Sequence, residues 1–188
     1  MKPKIELFEK LPIELQEFLN KQDGMVLFDG GLYIRGINNE PKWNSLKEVW
    51  EGESALYKTY TNVEKTDVPF GQDCVGDQFI LRNNIVYKLY VETGEMKCLQ
   101  VNFTEFIKLC NENPVEYLFL EPLVLYENEG KKLKHGQLLN VYPPFCTKES
   151  EDGISLNAIP ALERLKFLMS FYKQTVNVSD SCSIKIKN

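Results

Sequence analysis

The stretch from Val68 to Glu105 constrains the fold more than any other part of the chain. Gln78–Arg82 reads as a strand with Phe79 and Leu81 on one face. Asn83-Asn84 follows as a two-residue turn, asparagine being the non-glycine residue that best tolerates the left-handed conformation. Ile85, Tyr87, Leu89 and Val91 then alternate against Val86, Lys88 and Tyr90, which predicts a half-buried strand of period two. Glu92-Thr93-Gly94-Glu95 turns the chain, with Gly94 where a positive φ is expected, and Met96–Val101 returns as a third strand. Asn102 caps the next helix, with Glu105 three residues on as in a capping box. Phe103, Phe106, Ile107 and Cys110 give that helix an apolar face. An antiparallel meander covered by a helix is the expected centre.

The flanks are read by the same rules. Leu11, Leu15, Phe18 and Leu19 share a helical face, predicting a helix over about 12–20 that ends at Asp23-Gly24. Met25–Phe28 and Leu32–Arg35 predict two strands joined at Asp29-Gly30-Gly31. Ser45 is placed to cap a short helix carrying Leu46, Val49 and Trp50. Residues 53–67 fit a strand or a short helix. Asn113-Pro114 opens a helix to about Leu120, and Glu121–Tyr126 reads as a strand or an extended cover. A polar loop spans Asn128 to His135, Pro143-Pro144 blocks regular structure, and Glu149 to Gly153 is an acidic loop. Pro160 opens a last helix, with Leu162, Leu165, Leu168, Met169 and Tyr172 on one face. From Val176 the tail is polar, with Ile184 and Ile186 able to add an edge strand. The expected architecture is a single α+β domain over 1–175, with a C-terminal helical extension at about 140–175 and a polar tail at 176–188.

The whole chain bounds the partners. Its 188 residues carry 43% apolar residues, enough for a sizeable core. The net charge of -5 argues against direct binding to nucleic acid or an anionic membrane, because both need a basic face. A basic protein partner is compatible with that charge. Charges interrupt the N-terminal segment at Glu6, Glu9, Lys10, Glu14 and Glu17, so it does not read as a signal peptide, and no stretch has the apolar length to span a bilayer. A cytoplasmic protein is expected. The five cysteines form no CxxC pair and are expected as free thiols, with Cys98, Cys110 and Cys146 acting as small core residues.

Several chemistries lack their residues. His135 is the one histidine, in the lysine-rich GKKLKHG loop, and is expected at the surface. No serine stands in a GxSxG, and an acid follows the second glycine of GQDCVGD where a phosphate loop needs a lysine. No catalytic residue, cofactor or metal ligand is assigned. Paired carboxylates are present: Asp67, Asp73 and Asp77, with Glu92 and Glu95 a hairpin away. Such acids serve acid–base chemistry or a hard cation, but an aspartate in a turn more often bonds its own backbone. The aromatics Tyr33, Trp43, Trp50, Tyr57, Tyr60 and Tyr90 stand partly outside the apolar faces; exposed aromatics flanked by acids suit a protein-binding surface, but each of these residues more often packs in a core or at its rim.

The central stretch resembles the SUKH superfamily. The residues that carry the resemblance are Pro69-Phe70-Gly71 with Asp73, Gly76-Asp77 leading into Gln78-Phe79, Val86-Tyr87, the Glu92–Glu95 turn, and Phe103 with Phe106. Leu11-Pro12 with Leu15, Phe18 and Leu19 is similar to the family's opening helix, and Asp29–Tyr33 to its first hairpin, so the likeness covers about residues 8 to 120. Asp23-Gly24 stands where the family has an Asn-Gly turn, and Pro143-Pro144-Phe145 and the last helix lie outside the core motif. The resemblance implies an α+β fold with helices against an antiparallel or mixed sheet, and no enzymatic activity. In the bacterial branch it implies an immunity protein that binds and neutralises a toxin domain, often a nuclease.

Three functions remain open on the sequence. The first is a toxin-neutralising protein-binding module with its surface at Asp73, Asp77, Tyr33 and Trp43. The second is a small enzyme using paired carboxylates, with or without a divalent metal. The third is a regulatory scaffold linked to cell-wall synthesis, as in the family's yeast branch.

Overall fold

The fold is α+β, and the computed structural model describes residues 6–176. Six strands form one antiparallel meander in chain order: β1 (Met25–Leu27), β2 (Leu32–Ile34), β3 (Val68–Asp73), β4 (Gln78–Arg82), β5 (Ile85–Leu89) and β6 (Met96–Cys98). β7 (Gln137–Tyr142) and β8 (Ser155–Pro160) form a separate two-stranded antiparallel sheet. The helices are α1 (Glu6–Glu9), α2 (Ile13–Lys21), α3 (Leu46–Trp50), α4 (Phe103–Glu112), α5 (Pro114–Leu118), α6 (Glu121–Asn128) and α7 (Ala161–Thr175).

The turns form as their residues dictate. Asn83 and Asn84 both take left-handed backbone, at φ 49° and 62°, and Gly94 sits at φ 73°. Glu105 N–H donates to Asn102 Oδ1 at 2.9 Å, and Asn102 N–H donates to Glu105 Oε2 at 3.1 Å, closing the capping box of α4. The third strand is shorter than expected. Gln100 at φ 58° breaks the ladder after Cys98, although Val86 still pairs with Leu99 and Val101.

The sheet is covered on both faces, so β5 is not the half-buried strand that its alternation predicts. One core gathers Phe70, Phe79, Leu81 and Val86 with Phe103 and Phe106 of α4. Phe70 meets Phe103 and Phe106 edge-on, at centroid distances of 5.3 and 5.6 Å. A second core packs Ile80, Leu89 and Val91 against Leu165, Leu168 and Met169 of α7. Lys88 is buried between its strand neighbours rather than solvated.

Four further elements differ from expectation. β3 is an added central strand, and its register shifts between Val68 and Gly71, where Pro69 has no N–H to give. Residues 53–67 are irregular apart from a 3-10 turn at Leu56–Lys58. Glu121–Tyr126 is helical, because Pro122 at the first turn starts α6. The C-terminal extension begins as the β7–β8 hairpin, with a 3-10 turn at Lys148–Asp152 between its strands, and is α-helical only from Ala161. Ser45 stands at the N-cap of α3 but makes no side-chain cap bond. Ile184 and Ile186 lie outside the described residues.

Candidate functional site

A groove of about 820 Å3 opens at one end of the sheet. Its floor comes from the β3–β4 turn, β5 and α7. Its walls come from the β5–β6 turn, the α5–α6 junction and the β7–β8 loop.

The floor is a buried set of paired charges. Asp73 Oδ1 accepts the backbone N–H groups of Val75, Gly76 and Asp77, each at 3.0 Å, which holds the turn. Its other oxygen, Oδ2, takes Lys88 Nζ at 2.8 Å. Asp77 Oδ2 stands 3.4 Å from the same ammonium, and its Oδ1 accepts Val91 N–H at 3.0 Å. Burial disfavours the Lys88 ammonium, but Asp73 and Asp77 outweigh that and raise its pKa. Burial and the Asp73 charge push Asp77 up to about 7, against the pull of Lys88.

Arg164 closes the adjoining wall. It lies on the buried face of α7, donating from Nε to Val75 O at 3.1 Å and from Nη1 to Asn140 Oδ1 at 2.7 Å. Its Nη2 is 3.6 Å from Glu92 Oε1, while Cys146 N–H donates to Glu92 Oε2 at 3.2 Å. Burial lowers the Arg164 pKa and raises that of Glu92.

The rim is apolar and exposed. Phe119, Leu125 and Phe145 are 53%, 52% and 46% exposed. Phe119 ends α5 in the left-handed conformation, at φ 58° and ψ 55°, a position that usually takes glycine. Its ring centroid is 5.3 Å from Lys88 Nζ. Glu95, Glu121 and Lys97 also line the groove, and none of them has an ion pair among the described residues.

The residues singled out from sequence divide into two places. Asp73 and Asp77 come together on the floor and bond backbone, as turn aspartates do. Tyr33 and Trp43 meet each other edge-on at 5.8 Å, away from the groove. Tyr33 is not an exposed contact residue: it is 1% exposed, and its hydroxyl donates to Gln137 O at 2.7 Å because β2 lies inside the fold. Trp43 is half-buried against Gly136. Trp50 and Tyr60 are likewise buried. Exposed His135 borders a hollow of about 190 Å3 beside Tyr33. Of the cysteines expected in the core, Cys110 is buried, Cys98 is half-buried, and Cys146 is exposed on the β7–β8 loop.

Lys88, Arg164 and Phe119 escape the sequence reading. Two signals pointed to the cations. Lys88 shares the inward phase of its strand with Val86, and Arg164 falls three residues after Ala161 and four before Leu168 on one helical face. Among the described residues, no group of three or more His, Cys, Asp or Glu is placed to hold a metal, and no helix is long and apolar enough to cross a membrane.

No protein-family model and no curated protein sequence matches the chain. The crystal structure of Atu4351 from Agrobacterium tumefaciens is similar in fold. It shares 14% identity, the match covers 85% of this chain and 76% of that one, and the TM-score is 0.50. Fold and site together define an α+β protein with a charge-paired groove behind an apolar rim.

Proposed function

We propose that this chain is a non-catalytic protein-binding module of the immunity type, related to the SUKH superfamily, that neutralises a toxin domain by direct binding. The observation that carries the reading is the exposed rim of Phe119, Leu125 and Phe145 around a groove with more carboxylates than cations. Clustered exposed apolar side chains of this kind favour a macromolecular contact. The net charge of -5 suits a basic partner, such as the active face of a nuclease, and would speed its association. The residue resemblance supports the family. The likeness to Atu4351 supports the fold.

The test is affinity capture from native cells, with growth rescue by co-expression of whatever toxin-like domain is recovered. Capture of one basic partner whose toxicity the chain suppresses supports the reading. A toxin-like partner that binds without loss of toxicity sinks the immunity function.

A second reading, an enzyme with Asp77 as general base, is favoured by one feature: a carboxyl titrating near 7 on the floor of a groove. Its metal-dependent form predicts that calcium, magnesium or manganese raises the melting temperature. No shift with any of the three removes that form.

A further inference from the structure

We infer that the mouth of the groove takes a partner segment in which a lysine or arginine stands beside a large apolar side chain. This rests on the protein-binding reading above and names the chemistry that would be bound.

The floor is a poor anion site. The ammonium of Lys88 is shared by Asp73 and Asp77, and Arg164 is committed to Val75, Asn140 and Glu92. An incoming phosphate or carboxylate would have to displace a buried carboxylate to reach either cation.

The mouth favours a cation. Glu95 and Glu121 are exposed and without an ion pair among the described residues, opposed there by Lys97. Leaving out Asp77, whose carboxyl is pushed up to about 7, four carboxylates still face three cations around the whole groove. Charge complementarity therefore selects a positively charged visitor.

The same mouth favours an apolar anchor. On α6, Pro122, Leu123 and Tyr126 are buried, while Leu125, which lines the mouth beside Phe119 and Phe145, is 52% exposed. Phe119 adds a strained feature, because an aromatic residue holds a left-handed position that costs glycine nothing. Backbone strain kept at an exposed aromatic points to use of the ring. A second copy of this chain fits less well, since self-docking at this mouth would bring acidic surface to a chain of net charge -5.

The test pans a random dodecapeptide library on the immobilised full chain, then titrates the enriched synthetic peptides by fluorescence anisotropy. Enriched peptides should pair Lys or Arg with Phe, Trp or Leu. Their affinity should fall at least about tenfold in Glu121→Lys and in Leu125→Ser, and weaken as salt rises. Phe119→Gly should lose binding with little change in melting temperature, since glycine's relief of the left-handed backbone offsets the lost ring contact with Lys88. Acidic or uncharged peptides, no enrichment, or binding intact in these variants overturns the inference. Sedimentation showing self-association that Leu125→Ser abolishes would assign the mouth to a second copy and overturn it too. A captured host partner that all three variants retain removes the groove as its site while leaving the binding function standing.

Discussion

The guanidinium of Arg164 donates to the backbone oxygen of Val75 at 3.1 Å across 89 residues of chain. That bond ties α7, and with it the β7–β8 hairpin, to the β3–β4 turn that carries Asp73 and Asp77. Arg164 also contacts Glu92 and Asn140, so one side chain joins the floor, the wall and the C-terminal extension.

Arg164→Met keeps most of the apolar stem but leaves Glu92 buried without its cation and Val75 O without a donor. The expected loss is about 3–5 kcal/mol, as for other broken buried pairs. Urea unfolding measures it. A midpoint within error of the parent would show that the three contacts contribute nothing net.

Asp77 sets a pH dependence of definite sign. Its folded pKa of about 7 lies above the ordinary 3.8, so between those values the folded state keeps a proton that the unfolded state has lost. Stability therefore falls as pH rises through that window and levels off above it. Asp77→Asn removes this contribution, which at about 1.4 kcal/mol per pK unit is at most about 4 kcal/mol. Glu92, also raised, leaves a residual slope of the same sign. Melting temperatures from pH 4 to 8 should decline more steeply for the parent than for the variant. Parallel curves would show that Asp77 is ionised throughout.

Local chemistry is what the sequence made legible. Asn83-Asn84, Gly94 and the Asn102–Glu105 box each act within a few residues, and all fold as their local chemistry requires. β3 was hidden because Pro69 and Gly71 interrupt it and all its residues are buried, leaving no alternation to read. α6 was hidden for a related reason, since an exposed apolar face mimics an inward one. The site depends on contacts between distant residues. Asp73 and Asp77 were visible as turn acids, but their cation, Lys88, looked like a solvated strand residue. Arg164 reaches the site only through the extension. Tyr33 was misplaced because a buried tyrosine with a hydrogen-bonded hydroxyl has the same local pattern as an exposed one.

The capping box gives a calibrated local test. Asn102→Ala removes the acceptor for Glu105 N–H and should cost about 1 kcal/mol. Asn102→Asp retains an acceptor beside the positive helix end and should recover most of it. Equal losses for the two would place the contribution outside the cap.

Gly94 and Gly130 separate backbone strain from collision. Both have positive φ, 73° and 75°, so alanine at either should incur the left-handed penalty of about 1–2 kcal/mol. At Gly130 an added β-carbon meets nothing within 4 Å. At Gly94 it runs into the ring of Tyr172, which itself packs on Tyr60 at a centroid distance of 4.7 Å in the second core. Gly94→Ala should therefore cost about 1–3 kcal/mol more than Gly130→Ala, because the α7 ring has to move out of a filled core. Gly94→Ala in a Tyr172→Ala background should lose only the backbone part. If the two glycines respond alike in the parent, the β5–β6 turn yields and Tyr172 does not fix it.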